Sequence, residues 1–295
     1  RRGVRTAWPG IPRHPPSTGL IGVASAGETA ADGFENHRFR SGDLTLAAHL
    51  AHPLGRDAGR NSGSGPGGGV PGVVICHGFP SGADGGANSV ATFPELAFRI
   101  ATEMGWVAMV PYLRGMPGSE GDFSLDGWRD DVAAAATDLR SQDGVDRVWV
   151  VGFGSGAALA ICAAAEDEGI SGVGALAAPA DWSDWAANPR RLLLHARDAG
   201  LVNMADAPSD FGRWSAALRD LSAERSVLRL APRDLLLVHG SDDEIVPALD
   251  ARVVASAHGA AALRIIAGAG HHLRHDPRAI AILLGWLDRQ RRHHT

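Results

Sequence analysis

Val148-Trp149-Val150-Val151-Gly152-Phe153-Gly154-Ser155-Gly156-Ala157 is the stretch that decides the fold. Its four leading apolar residues read as a strand buried on both faces, as the central strands of a parallel sheet are. Three glycines at alternate positions then make a tight turn, and an alanine-rich run to Glu166 reads as a helix. Such a turn holds its central residue in a strained backbone conformation and needs small residues two positions to either side. Gly152 and Gly156 meet that need, so Gly154 is the centre. Moving the register by one would centre Ser155 and put Phe153 and Ala157 at the small positions, and phenylalanine fits poorly there.

Outward from this stretch, short β-rich runs alternate with helix-like segments, which predicts βαβ units. The expected strands are Val73–His77, Trp106–Pro111, Val148–Gly152, Gly172–Ala177, Leu235–His239 and Leu263–Ile266. The expected helices are Phe93–Glu103, Leu125–Arg140, Ser155–Glu166, Pro247–Ala257 and Pro277–Arg291. A hairpin over His37–Pro53, turning at Ser41-Gly42-Asp43, opens the sheet. The fold class is therefore α/β, a mostly parallel central sheet with helices on both faces. Right-handed crossovers would bring the strand-to-helix loops to one edge of the sheet.

Residues 1–35 are rich in Pro, Gly, Ser and Ala without periodicity and read as a disordered tail, leaving 36–295 as one α/β domain. Gly55–Gly69 reads as a flexible surface connector. The segment from Asp181 to about Arg229 is longer than one crossover helix requires and reads as an inserted helical lid. Its Trp182, Trp185, Leu192, Leu193, Leu194, Trp214 and Leu218 recur at helical spacing, which serves lid-to-body packing as well as a face over a site.

An apolar content of 45% supplies a sizeable core. A net charge of −5, with no lysine and with scattered arginines, provides no basic field for a phosphate backbone, so nucleic acid is not an expected partner. Cys76 and Cys162 sit inside apolar runs and read as buried thiols, not as a disulfide framework. No run approaches the roughly 18 apolar residues of a membrane span, and no signal-peptide core opens the chain, so a cytoplasmic location without membrane contact is expected. Oligomeric state has no signature.

The motifs, taken in order, resemble the α/β-hydrolase family (serine hydrolases, serine aminopeptidase-like) over roughly Phe39 to Arg291. Gly152 to Gly156 resembles that family's nucleophile elbow. His77-Gly78-Phe79-Pro80 resembles its oxyanion turn, which implies oxyanion and substrate-binding roles for Gly78 and Phe79, with the Phe79 N–H as one donor and the Ser155 N–H as the other. Leu113-Arg114-Gly115-Met116-Pro117-Gly118-Ser119-Glu120-Gly121 resembles an architectural loop of the pocket wall. The run from Leu237 to Pro247 resembles the acid turn, with Asp243 as the acid and Asp242 as the adjacent alternative, and Ala267-Gly268-Ala269-Gly270-His271 resembles the loop that delivers the base. The implied site is His271, Asp243 and the elbow, where Gly154 takes the nucleophile position and Ser155 is the alternative nucleophile. The resemblance implies a small-molecule acyl substrate (ester, amide or thioester) and no cofactor or metal.

Each part has a plainer reading. Ser155 fits a helix N-cap or first-turn position. Asp243 could cap a turn, and Asp181 stands where some relatives carry their acid. His271, His272, His275 and Asp276 match no dedicated metal spacing, and His195 has no constellation around it. The glycine turn departs from the dinucleotide fingerprint. Because glycine cannot attack a carbonyl, three functions remain open. The first is a hydrolase in which Ser155 shifts into place or His271 with Asp243 activates water. The second is a dyad enzyme of another class, a lyase or a cofactor-independent oxygenase. The third is a non-catalytic protein that binds a ligand or partner in the inherited pocket.

Overall fold

The computed structural model describes residues 34–53, 69–80 and 92–293. The hairpin of β1 (Phe34–Ser41) and β2 (Leu44–Ala51) opens the chain, with Ser41 paired to Leu44 across a two-residue turn. Gly42, at φ 59°, supplies the left-handed backbone such a turn needs. β1 begins at Phe34, slightly ahead of the expected domain start. The rest of the predicted tail and residues 55–68 of the connector lie outside the described residues.

The remaining strands are β3 (Val70–Cys76), β4 (Val107–Pro111), β5 (Val145–Phe153), β6 (Ile170–Leu176), β7 (Asp234–Gly240) and β8 (Ala262–Ile266). They form one sheet in the order β1-β2-β4-β3-β5-β6-β7-β8. Pairing is antiparallel from β1 through β2 to β4 and parallel from β4 to β8. After β3 the chain steps to one side to make β4, then crosses to the other side to make β5. That reversal leaves a crevice beyond the carboxyl ends of β3 and β5, the place where open α/β sheets bind ligands.

Helices α1 (Phe93–Met104), α2 (Leu125–Arg140), α3 (Ser155–Glu166), α8 (Ala248–His258) and α9 (Pro277–His293) cover the sheet, each within two residues of its predicted bounds. Every residue of α3 from Ser155 to Ala164 is buried, and the helix packs on β5, β6, α2 and α7 (Ala223–Leu230). Alanine at half of its twelve positions permits that close approach from all sides.

Between β6 and β7 lie α4 (Ser183–Ala187), α5 (Pro189–Asp198), α6 (Phe211–Asp220) and α7. The last of these packs against α3 and α8 as a crossover helix of the body does, so α4 to α6 are the added elements. The 113–121 loop is pinned by Asp131 of α2, whose buried carboxylate accepts from the Arg114 guanidinium at 2.7 Å, the Arg114 N–H at 2.8 Å and the Ser41 hydroxyl at 2.6 Å.

Candidate active site

Gly154 is the apex of the turn between β5 and α3, at φ 55° and ψ −125°, a region L side chains rarely adopt. A Cβ on Gly152 would come within 2.4 Å of the Gly156 carbonyl oxygen, and one on Gly156 within 2.2 Å of the His77 carbonyl oxygen. Both flanking glycines are therefore enforced by backbone contact. At Gly154 space is not the constraint: a Cβ there would meet only the His271 imidazole, at 3.4 Å from Nε2, among the described neighbours within 4 Å.

His271 lies on the loop after β8, just before a short 3₁₀ turn, Leu273–His275. Its Nδ1 lies 2.9 Å from Asp243 Oδ2, so that Nδ1–H donates to the carboxylate and Nε2 is left facing the apex. Asp243, on the loop after β7, has a fully buried side chain. Its Oδ1 accepts the N–H groups of Ile245 at 2.9 Å and Val246 at 2.8 Å, which fixes the carboxylate plane. Burial alone would raise this carboxyl, but the contacts from His239 and His271 and the Val246 N–H outweigh it and hold the group well below the usual carboxylate range. Asp243 is thus an anion able to orient an imidazole and to stabilise its protonated form.

The His239 side chain, at the end of β7, is also fully buried. Its Nε2 lies 2.9 Å from the Val246 carbonyl oxygen and 3.2 Å from Asp243 Oδ2, so one N–H faces both acceptors. Sequence reasoning gave this residue no role. Its position four residues before the acid was the available signal, because strand and turn together fold it back onto the carboxylate.

On the 77–80 turn after β3, His77 is fully buried, donates from Nδ1 to the Gly78 carbonyl at 2.8 Å, and packs edge-on against Trp128. Burial pushes its pKa down to about 4, which keeps the ring neutral at neutral pH. The Phe79 N–H donates to Ser155 Oγ at 2.7 Å. Ser155 is therefore turned toward the 77–80 turn, and no hydrogen bond joins it to His271 among the described residues.

The Phe79 ring is half-buried and meets Trp185 of α4 edge-on at 5.3 Å. His195 of α5 lies nearly parallel to it at 5.4 Å, so this histidine does have a place beside the site. A cavity of about 430 Å³ beyond Phe123, lined in part by Asp122, Val202, Pro208 and Trp214, includes neither the dyad nor the elbow.

The other candidates stand apart. Asp242 accepts from the Ser241 hydroxyl, and Asp181 from the Ser183 N–H. Asp276 pairs with Arg278. Among the described residues, no three His, Cys, Asp or Glu side chains cluster as metal ligands, and no helix is long and apolar enough to cross a membrane. Burial pushes both cysteine thiols upward, so neither is primed as a nucleophile.

No family model matches the sequence, and no curated protein matches it. Solved structures do resemble the fold. The alpha/beta hydrolase GrgF from Penicillium superposes with a TM-score of 0.66 at 19% identity, over 88% of this chain and 99% of that one. Est1E from Butyrivibrio proteoclasticus, also solved with ferulic acid bound, gives 0.62 at 18% identity, over 88% of this chain and 98% of that one. An esterase of Pyrococcus furiosus gives 0.60 at 16% identity, over 87% and 90%. Identities this low speak for architecture alone, and on architecture they agree with the eight-stranded, mostly parallel sheet covered by helices: the chain has the α/β-hydrolase fold.

Proposed function

We propose that the protein hydrolyses small acyl substrates by direct activation of water, with His271 as general base and Asp243 as its orienting anion. One observation carries this reading. Asp243 holds Nδ1 of His271 at 2.9 Å, while Nε2 faces an apex where glycine leaves the space a nucleophile's side chain would fill. A water hydrogen-bonded to Nε2 there has a base within reach and no side chain competing for its position. His271 takes a proton from that water as its oxygen bonds to the acyl carbon. The tetrahedral anion then collapses, and the same nitrogen returns the proton to the departing oxygen, nitrogen or sulfur. Acid and alcohol, amine or thiol leave without an acyl-enzyme. The Ser155 hydroxyl, engaged by Phe79 and unconnected to His271, favours water over Ser155 as the attacking group.

The fold's esterase neighbours support the acyl class. The half-buried Phe79, Trp185 and His195, together with the ferulic acid bound by Est1E, make an aromatic acyl ester the first substrate to try. The test compares wild type with His271→Ala on methyl ferulate and on p-nitrophenyl acetate. Wild type should exceed the variant by about 10² to 10⁴-fold, the usual worth of a positioned base, with no burst and no acyl adduct by mass spectrometry. Equal rates in the two proteins would defeat the proposal.

A further inference from the structure

We propose that the Ser155 hydroxyl is itself an oxyanion donor of this site, relaying the Phe79 N–H to the developing charge; the role rests on the water-activation reading above. In a triad-type site two backbone N–H groups point at the oxyanion. Here the Phe79 N–H is already spent on Ser155 Oγ, at 2.7 Å. A hydroxyl can accept and donate at once. Ser155 accepts from Phe79, and among the described residues no hydrogen bond uses its own proton, although the residue is only 7% exposed. A buried donor left unmatched costs stability unless something uses it.

The hydroxyl stands between the oxyanion turn and the apex, on the first residue of α3, where backbone N–H groups have no partner inside the helix. A hydroxyl that accepts a hydrogen bond is the stronger donor for it. The chain that lacks a nucleophile at 154 therefore carries a polarised O–H at 155, one residue from the reacting centre. The Ser155 N–H remains as the second donor.

The test measures binding and turnover separately. Phenylboronic acid, which takes up hydroxide to form a tetrahedral anion, is titrated calorimetrically into wild type, Ser155→Ala and Ser155→Cys. Loss of one oxyanion donor typically costs about 10² to 10³-fold in kcat. Since Ser155→Ala also frees the Phe79 N–H to compensate in part, binding should weaken at least about tenfold, and kcat should fall with KM nearly unchanged. The weak thiol donor of Ser155→Cys should fall between. Circular dichroism establishes that the variants are folded.

Equal or tighter boronate binding by Ser155→Ala would mean that the hydroxyl blocks the hole, and would overturn the proposal. Absence of binding by wild type, or covalent labelling of Ser155 by a fluorophosphonate, would also overturn it. Because boronate binding needs no turnover, the two proposals fail separately. An inactive protein that still shows the Ser155 effect defeats water activation alone. An active one whose kcat is indifferent to Ser155→Ala defeats only the relay.

Discussion

Replacing Gly154 by serine tests the site most directly, because the structure sets both its cost and its gain. The cost is conformational: a side chain at φ 55° and ψ −125° occupies a sparsely populated backbone region, worth about 1 to 3 kcal/mol. Steric conflict adds little, since the new Cβ would lie 3.4 Å from His271 Nε2, an ordinary van der Waals contact. At roughly 2 to 4 °C per kcal/mol for a domain of this size, Tm should fall by about 2 to 12 °C. The gain is chemical. A hydroxyl one bond beyond that Cβ has a rotamer within the reach of about 2.6 to 3.2 Å that a nucleophile and its base require. Removing the serine from a complete triad typically costs about 10⁶ in kcat, so restoring one here should raise p-nitrophenyl acetate hydrolysis by at least about 10³-fold. A burst, and fluorophosphonate labelling confined to residue 154, should accompany the rise. A folded Gly154→Ser protein that is neither labelled nor faster would refute the claim that His271, Asp243 and the elbow form one functional unit.

Gly156→Ala should destabilise the fold by about 1 to 3 kcal/mol in urea denaturation, because its Cβ would come within 2.2 Å of the His77 carbonyl oxygen and push the 77–80 turn away from α3. Asp131→Ala removes a fully buried partner of Arg114 and should cost about 3 to 5 kcal/mol by the same measurement, with little change for surface pairs such as Arg99–Glu103. His77 predicts a pH dependence. With its pKa pushed from 6.5 to about 4 by burial, the unfolded chain binds more protons than the native one between those values, so stability rises with pH across that window and is lost as pH falls through it. The full effect is about 3 kcal/mol. His77→Gln should flatten the stability difference between pH 7 and pH 4.5 relative to wild type, and an unchanged difference would count against the assignment.

The strands of the parallel sheet were readable because burial on both faces demands unbroken apolar runs such as Val148–Val151, and the elbow because backbone contacts at Gly152 and Gly156 admit no Cβ. Those are local demands, each met by residue type within a few positions. The approach of Asp243 and His271 was expected from the order of motifs, while its distance comes from the tertiary fold. What the tertiary structure alone decided is where side chains point when their partners lie far along the chain. The Ser155 hydroxyl takes the Phe79 N–H instead of His271, His195 lies over Phe79, and α7 belongs to the body because it packs on α3. His239 shows the limit from the other side, since its partner is only four residues away. A residue's type states which bonds it can make, but the choice among them is set by packing that brings distant segments together, and no local pattern carries that information.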